Sequence, residues 1–424
     1  MSPRLARAVA MAVLVLALAT FTACGKKSSG GGGEQSAGGV KAGPGVTDKT
    51  ITLGVQTDLT GTFAALGEVI TQSDKLYWDE QNKAGGVCGR QVKLIVKDHG
   101  YDPQTAVTQY RDIAPDVAAL QQVVGSPVSA ALLPTWEKDH MLALLAAWPP
   151  SLLNHDVIGV IGPSYDVEAI NGIEWMIKNK GLKDGDTIGD LYFEGDYGEG
   201  GLIGVKHAAE AHNLKVVEQK IKATDTDMSA AASAFKRAGV KAIWVTVGPK
   251  QLASLAGVAQ AQGLQVPIGG NGPVFSPLLL DTAVAATLEK NLTVFTGTAP
   301  ISLSGNPAIE KALAAYKAAY PKGVPQQAVV TGFAEGEVMK ATLEKACASK
   351  DLTRENIVKS FRTLAAVDTG GFIAEPLDFS KVGQPSAKAV YALKIDKGVV
   401  GGERALGKPY LSATAKTYEV TAGG

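Results

Sequence analysis

The chain has 424 residues, with 41 basic and 41 acidic side chains, so its formal net charge is zero. No basic patch marks it as a nucleic-acid-binding protein. Aromatic residues make up only 6 % of the chain, while 49 glycines suit close contacts between helices and sheets. The length exceeds one ordinary hydrophobic core and favours two lobes.

The N-terminal segment reads as a secretory signal. Residues 1–23 carry Arg4 and Arg7, then an apolar run, then small residues before Cys24. Such a pattern is typical of a cleaved signal peptide. The apolar run is too short for a bilayer core, which needs roughly 20 residues. A retained anchor helix is the alternative.

Cys24 ends the sequence FTAC, which resembles a bacterial lipoprotein cleavage box. The resemblance implies that Cys24 becomes the N-terminus and carries acyl chains, several of which hold a protein stably at a membrane. A chance cysteine beside a signal peptide is the alternative. Residues 24–47 are rich in glycine and serine and predict a flexible tether that spans roughly 25 Å.

The rest of the chain repeats an apolar strand, a turn with glycine or serine, and an alanine-rich helix. Such units begin at Ile51, Gln91, Ala118 and Met141, and a second set begins near Thr187. Alternating strands and helices predict an α/β fold with parallel sheets and helices on both faces.

The first unit carries the clearest motif. Strand ITLGVQ leads into the turn TDLTGTFAALG, a helix that ends at AGGVCGR, and a second strand, QVKLIVKD. This order places small polar groups at the carboxyl edge of a parallel sheet, where open α/β sheets bind ligands.

Residues 51–102, together with Pro103, resemble the opening of the branched-chain amino-acid type of ABC solute-binding protein. The family's turn, its AGGVxGR segment and its aspartate-proline segment have matching residues here: Thr60, Gly61, Ala64, Gly67, Ala84, Gly85, Gly86, Val87, Gly89, Arg90, Asp98, Asp102 and Pro103. The resemblance implies the periplasmic-binding protein type I fold, in which two Rossmann-like lobes are joined by a three-strand hinge.

The resemblance also implies how the chain is divided. Lobe 1 is expected to comprise residues 48–163 and 297–370, and lobe 2 residues 164–296 and 371–412. Residues 413–424 are expected to form a C-terminal tail. Cys88 and Cys347 both fall in the implied first lobe, so they form either a disulfide, which persists outside the cytoplasm, or two inert buried thiols.

The segment GSPVSAALLP resembles the family's receptor for a ligand carboxylate. Ser126 followed by Pro127 predicts a helix start with a serine cap, and a helix N-terminus suits an anion. Ser126 is therefore a cap alone or a cap that also contacts ligand, and Ser129 lies one turn deeper. Leu66 matches a position where the family often has a ligand-facing side chain.

Two further segments predict the walls of the cleft. DYGEGG resembles the second-lobe motif whose aromatic residue covers the solute, and Tyr197 holds that position; stapling a turn is its alternative role. Where relatives have a small polar loop, this chain reads Ala146-Ala147-Trp148-Pro149-Pro150-Ser151. Ala147 and Trp148 are therefore predicted to line the cleft, although Trp148 could equally fix a proline turn at its rim.

The solute itself is left open. Amino-acid binders of this family pair the ligand's ammonium with a second-lobe acid, but the matching stretch GGNGPVF has no carboxylate. Either Glu194 or Asp196 takes that role, or the solute is an amide, a urea-like compound or an organic acid. In the second case Thr246 and Asn271 are predicted to offer neutral hydrogen bonds.

Sequence motifs of enzymes are missing. The chain has no GxxxxGK[ST], HExxH or GxSxG motif, and its five histidines lack metal-ligand spacing. We therefore expect no cofactor, no metal and no catalysis. The resemblance implies a monomeric, extracytoplasmic binding protein that delivers a small solute to an ABC permease and ATPase. A sensor that feeds a membrane receptor and an enzyme with a cryptic cleft are the rivals.

Overall fold

The computed structural model describes residues 35–37 and 39–420 of the chain. The predicted signal peptide at 1–23 and the predicted lipid-anchored Cys24 lie outside the described residues. Within the described ranges, no helix is long and apolar enough to cross a membrane.

The first part of the described chain builds a parallel sheet from the predicted repeated units. Its elements are β1 (Gln35–Ala37), β2 (Val40–Ala42), β3 (Thr50–Thr57), α1 (Ala64–Lys83), β4 (Gln91–Asp98), α2 (Pro103–Ile113), β5 (Ala119–Val124), α3 (Ser126–Asp139), β6 (Ala143–Ala146) and β7 (Ile158–Val160). The five-stranded sheet of lobe 1 has the order β4-β3-β5-β6-β7, and all its neighbours are parallel. Parallel neighbours need crossover connections, which the helices supply.

A second sheet follows in the middle of the chain. Its elements are α4 (Tyr165–Lys180), β8 (Thr187–Phe193), α5 (Asp196–Ala211), β9 (Lys215–Ile221), α6 (Ser229–Ala238), β10 (Ala242–Thr246), α7 (Pro249–Ala261), β11 (Ile268–Asn271), α8 (Ala285–Asn291) and β12 (Leu292–Thr296). Strands β8 to β12 are again parallel. They form the core of lobe 2.

The last part of the chain returns to the first lobe and then to the second. Its elements are α9 (Pro307–Ala319), α10 (Gln327–Ala348), β13 (Asp351–Leu352), α11 (Arg354–Phe361), β14 (Tyr391–Ile395), β15 (Glu403–Ala405) and α12 (Ala413–Thr417). Helix α10 packs on α1, while β14 and β15 extend the second sheet in antiparallel fashion to seven strands. The chain thus crosses between the two sheets three times, and the predicted type I fold is confirmed.

Part of the predicted tether is folded. Strand β2 pairs in parallel with β13, and the Lys41 amide donates to the Lys350 carbonyl at 2.9 Å. Val46 is buried. Backbone hydrogen bonds, rather than a hydrophobic face, attach most of this segment to lobe 1. Its sequence therefore shows no apolar periodicity. The prediction of a tether through residue 47 was therefore wrong for residues 40–46.

A disulfide joins Cys88 and Cys347, whose Cα atoms are 6.4 Å apart. The bond links the turn after α1 to the end of α10, so it ties together the two helices that pack against each other in lobe 1. Cross-links between residues far apart in sequence typically stabilise a fold by about 2–4 kcal/mol. Here the sequence separation is 259 residues.

Helices α1 and α10 approach closely because α10 presents glycines to α1. A Cβ atom added at Gly332 would lie 2.7 Å from Ser73 Cβ, and one added at Gly336 would lie 2.3 Å from the Tyr77 ring. Both distances are shorter than side chains tolerate, and Tyr77 is itself almost fully buried. The close contact between these helices thus depends on glycine, which has no side chain, at positions 332 and 336.

We predict that Gly336→Ala destabilises the protein by about 1–3 kcal/mol, since the new methyl group overpacks a buried ring. The matched control is Gly257→Ala in α7, where a Cβ would meet Val284 Cγ1 at an ordinary 3.4 Å. That change should stabilise by up to about 1 kcal/mol because alanine favours helix. Urea unfolding of both variants checks the prediction, and equal effects would contradict it.

Candidate functional site

A cavity lies between the two lobes, at the carboxyl ends of strands from both sheets. It is lined by residues that follow strand ends or begin helices: Phe63, Leu66, Tyr101, Val124, Gly125, Ser126, Ala146, Ala147, Tyr165, Tyr197 and Pro273. We call this space the cleft cavity. None of the lining side chains carries a charge. Open α/β sheets bind ligands at this edge.

Aromatic rings close the cleft cavity from both lobes. Phe63 of lobe 1 meets Tyr197 of lobe 2 edge to face, with ring centroids 5.8 Å apart. Phe63 also packs on Tyr101 at 5.0 Å, and Tyr197 on Tyr165 at 4.8 Å. Such pairs contribute about 0.5–1.5 kcal/mol each beyond the area that they bury. The lobes are therefore in contact across the cleft.

The closed arrangement leaves little free room. The volume of the cleft cavity is only about 10 Å³. This is about the minimum that holds one water molecule. A polar contact reinforces closure at the rim, where the Ser151 hydroxyl donates to Asp196 Oδ1 at 2.8 Å. The space between the lobes is thus nearly filled by their own side chains.

The first turn of α3 forms the polar wall of the cleft cavity. The serine cap predicted at Ser126 is wrong by one residue, because Gly125 is the N-cap and Ser126 is the first helical residue. Gly125 has φ of 103°, and a Cβ there would lie 2.8 Å from the Tyr101 ring. Glycine is therefore required, and the serine hydroxyl is released from the capping role.

The Ser126 hydroxyl is buried beside the cleft cavity. Ser126 is 1 % exposed, and its Oγ makes no hydrogen bond of ordinary geometry within the described residues. The Tyr165 hydroxyl is its polar neighbour. Buried hydroxyls are usually hydrogen-bonded, and the N–H groups of a helix's first turn also lack intrahelical partners. Both features leave hydrogen-bond donors at the start of α3.

Two tyrosine hydroxyls also belong to this region. Burial raises the pKa of Tyr101, and nearby Asp58 and Asp196 raise it further. Burial likewise raises the pKa of Tyr165 well above its usual value. Both phenols therefore keep their protons at neutral pH and remain hydrogen-bond donors.

Four of the predicted site residues line the cleft cavity together, namely Ser126, Ala147, Tyr197 and Leu66. Tyr197 presents its ring, because its hydroxyl is used within lobe 2. That hydroxyl donates to Asn271 Oδ1 at 2.8 Å and lies 3.2 Å from the Val247 carbonyl.

The other four predicted site residues do not line the cleft cavity. The Ser129 hydroxyl donates to the Gly125 carbonyl at 3.0 Å. Trp148 packs edge to face behind Tyr165, with centroids 5.8 Å apart. Thr246 Oγ1 accepts from the Trp244 indole at 3.1 Å.

Asn271 is the fourth predicted site residue that does not line the cleft cavity. It is buried behind Tyr197, and its Nδ2 has no partner among the described residues.

No carboxylate reaches the cleft cavity to pair with a ligand's ammonium. Glu194 is exposed, and Asp196 accepts the hydrogen bond from Ser151 at the rim. Two buried acids lie behind the lining: Asp58, which is 0 % exposed and accepts a hydrogen bond from the Phe63 amide, and Glu168, which is 1 % exposed. Burial raises the pKa of Glu168 well above its usual value, which favours its neutral form. In addition, no described group of three or more His, Cys, Asp or Glu residues could hold a metal ion.

Sequence reasoning missed most of the aromatic wall. Phe63, Tyr101 and Tyr165 line the cleft cavity, as does Pro273. A positional signal was present for each of them. Phe63 immediately precedes α1, Tyr101 follows β4, Tyr165 begins α4 after the first crossover, and Pro273 follows β11. Every one of these positions is at a ligand-binding edge.

Comparisons with known proteins agree with this architecture. The profile of the family described as "Periplasmic binding protein" matches residues 50–399. A solved structure, the "Fatty acid ABC transporter substrate-binding protein from Thermomonospora curvata", is 42 % identical and has a TM-score of 0.89. The match covers 92 % of this chain and 99 % of that one.

Two more distant proteins extend the agreement. The "Leu/Ile/Val-binding protein homolog 3" of Brucella melitensis is 26 % identical over 369 residues, which cover 83 % of this chain and 93 % of that protein. A branched chain amino acid ABC transporter from Thermus thermophilus with bound valine shares the fold, with a TM-score of 0.75 at 17 % identity over 88 % of this chain and 99 % of that one. The chain therefore belongs to the periplasmic binding protein family, in its branched-chain amino-acid type, as the resemblance of residues 51–102 predicted.

Proposed function

We propose that this protein captures a small carboxylic acid with an apolar body in the cleft cavity and delivers it to an ABC importer. The observation that carries the proposal is the lining itself: apolar and aromatic walls, hydroxyl groups, the first turn of a helix, and no charged side chain. The related proteins described above are named for fatty acid and for leucine, isoleucine and valine. All of these solutes combine a carboxylate with an apolar body.

The start of α3 is the proposed receptor for the carboxylate. A helix N-terminus stabilises an anion through its free N–H groups and the positive end of its dipole. Ser126 Oγ has no other hydrogen bond of ordinary geometry, and the protonated hydroxyls of Tyr101 and Tyr165 add donors. Hydrogen bonds to a charged group contribute about 1.5–3 kcal/mol each.

The aromatic rings are the proposed receptor for the apolar body. Phe63 and Tyr101 form one side, and Tyr197 and Tyr165 form the other. Each methylene removed from water contributes about 0.8 kcal/mol. The space between these rings holds only about one water molecule, so we propose that the lobes move apart here to admit the acid.

An ordinary α-amino acid fits less well. Leaving its ammonium without a counter-ion in this cavity costs several kcal/mol, comparable with the roughly 8 kcal/mol of a micromolar binding event. Glu168 is behind the rings and favoured as the neutral acid. Among the solutes that the sequence allows, we therefore propose an organic acid.

Binding, rather than bond-making, is the proposed work of the protein. Members of this family act outside the cytoplasm, and the related proteins are substrate-binding components of transporters. We further propose that a lipid at Cys24 keeps the protein near its permease and ATPase, and that the protein acts as a monomer. A ligand shifts the lobes toward closure only through its better contacts with the closed form.

Our first test compares 4-methylpentanoate with leucine, which differs from it only by the ammonium group. We predict that calorimetric titration finds the acid at least tenfold tighter, because 1.4 kcal/mol corresponds to tenfold and the unpaired ammonium costs more than this. Tighter binding of leucine would show that an acid does reach the ammonium and would refute the organic-acid assignment.

Our second test compares two serines on the same helix. Ser126→Ala should weaken 4-methylpentanoate binding by about 1–3 kcal/mol because a hydrogen bond to the carboxylate is lost. Ser129→Ala is the matched control, since that hydroxyl is used by the Gly125 carbonyl, and its affinity should stay within about threefold (roughly 0.7 kcal/mol). Unchanged affinity in Ser126→Ala would mean that the carboxylate binds elsewhere.

A further inference from the structure

Two acidic side chains are buried between α1 and α10 in the core of lobe 1. Asp74 of α1 and Glu335 of α10 are both 0 % exposed, and they lie beside the glycines through which the two helices meet. We call these two residues the acid pair. Carboxylates are almost never fully buried unless a cation or several hydrogen bonds offset the loss of hydration. The surroundings of the acid pair therefore decide its charge.

The surroundings supply too few hydrogen-bond donors. Gln121 of β5, which is also 0 % exposed, donates through Nε2 to Asp74 Oδ1 at 3.0 Å. Asp74 Oδ2, Gln121 Oε1 and both carboxyl oxygens of Glu335 have no hydrogen-bond partner among the described residues. Buried polar atoms are usually hydrogen-bonded. A proton on one carboxyl group turns an acceptor into the donor that this cluster lacks.

No positive charge neutralises the acid pair either. Strands β5 and β6, which pack against α10, carry no titratable side chain. The lysines on α1, α9, α10, α11 and β4 are exposed or only partly buried, and Arg354 of α11 donates to backbone carbonyls. Tyr77 and Glu337, on the same two helices, act on each other. Among the described residues, no cation acts on either member of the acid pair.

Both carboxyl groups favour their neutral forms. Burial raises the pKa of Asp74 well above its usual value, and the hydrogen bond from Gln121 offsets this only in part. Burial likewise raises the pKa of Glu335 well above its usual value, and the negative charge of Asp74 raises it further. Two acids that share a buried place do not both ionise readily, so their protons leave in separate steps that belong to the pair.

We propose that the acid pair holds at least one proton at neutral pH and that this proton stabilises the contact between α1 and α10. The protonated carboxyl donates to one of the buried oxygens that otherwise have no donor. Loss of the proton leaves two negative charges in the core of lobe 1 and weakens the contact. Members of this family act outside the cytoplasm, so the pH around the protein sets the strength of this contact. Neither acid lines the cleft cavity, so the inference does not depend on which solute binds.

The direction of the pH effect follows from linkage between proton binding and folding. In the unfolded chain both acids ionise near pH 4, whereas in the folded protein the pair keeps a proton to higher pH. The stabilisation from the pair is therefore complete below about pH 4 and is lost as the pH rises toward the pKa of the folded pair. Over that range the equilibrium constant for unfolding rises by up to about tenfold per pH unit for each proton that unfolding releases.

The experiment measures urea unfolding between about pH 5 and pH 9, together with the infrared absorption of protonated carboxyl groups at neutral pH. The double variant Asp74→Asn/Glu335→Gln replaces both acids by uncharged side chains of nearly the same shape. We expect its unfolding constant to change with pH less steeply than that of the unaltered protein, by about tenfold per pH unit for one proton. We also expect part of the infrared absorption to disappear. The single variants Asp74→Asn and Glu335→Gln should each show the same changes at least in part, which keeps the test decisive if the double variant does not fold.

The matched control is Asp79→Asn/Glu344→Gln, which removes two acids from exposed positions on the same helices. Its pH dependence and its infrared absorption should equal those of the unaltered protein.

Two results would overturn the inference. The first is an equal pH dependence, or an equal infrared absorption, in the unaltered protein and in the folded variants of the acid pair, because the pair then holds no proton at neutral pH. The second is a stabilisation by added calcium or sodium ions that the variants of the acid pair lose, because the pair then holds a metal ion instead of a proton. Neither result bears on solute binding, so the proposed function is tested separately.

Discussion

The geometry of parallel strands is the constraint on which the site depends. Strands β3 to β7 of lobe 1 and β8 to β12 of lobe 2 run parallel within their sheets, so the residues that follow them collect at one edge of each sheet. The three crossovers join the two sheets so that these edges face each other across the cleft cavity. The start of α3, the ring of Tyr197 and the residues after β6 meet there for this reason alone.

Aromatic contacts between the two lobes contribute to closing the cleft. Phe63 and Tyr197 come from different lobes, and their edge-to-face contact is worth about 0.5–1.5 kcal/mol beyond area burial. A contact of that size favours closure only modestly. A ligand that adds contacts to both lobes can therefore change the populations of open and closed forms, which is what a permease or a receptor would detect.

Two features hold the core of lobe 1 together. In lobe 1, α1 and α10 meet through glycines and are cross-linked by Cys88 and Cys347. The start of α1 carries Leu66, which lines the cleft cavity. Helix α1 thus presents Leu66 to the cleft cavity from a cross-linked part of lobe 1.

The fold was predictable from the sequence because its signals are local and repeated. Strand, turn and helix recur with clear periodicity from Ile51 onward, and the motif of residues 51–102 is dense. The polar wall of the site was predictable too, since Ser126 follows a strand directly. The predicted cap at Ser126 was wrong because Gly125 is the N-cap of α3. Gly125 has a positive φ, and the neighbouring Tyr101 ring leaves no room for a Cβ there.

The aromatic wall was not predictable in the same way. Whether Phe63 and Tyr165 face a ligand depends on how two distant lobes meet, and no local period encodes that. Trp148 was interpreted as a wall residue because its loop aligns with a binding loop, yet it packs behind Tyr165. The backbone pairing of residues 40–42 likewise leaves no hydrophobic pattern in the sequence.

The most direct measurement is a crystal structure of the protein with 4-methylpentanoate bound. The account predicts carboxylate oxygens about 2.7–3.2 Å from the hydroxyl of Ser126 and from N–H groups in the first turn of α3, with the aliphatic body between Phe63 and Tyr197. A carboxylate bound at Asn271 or in solvent at the mouth of the cleft, with the start of α3 left without a ligand, would contradict it.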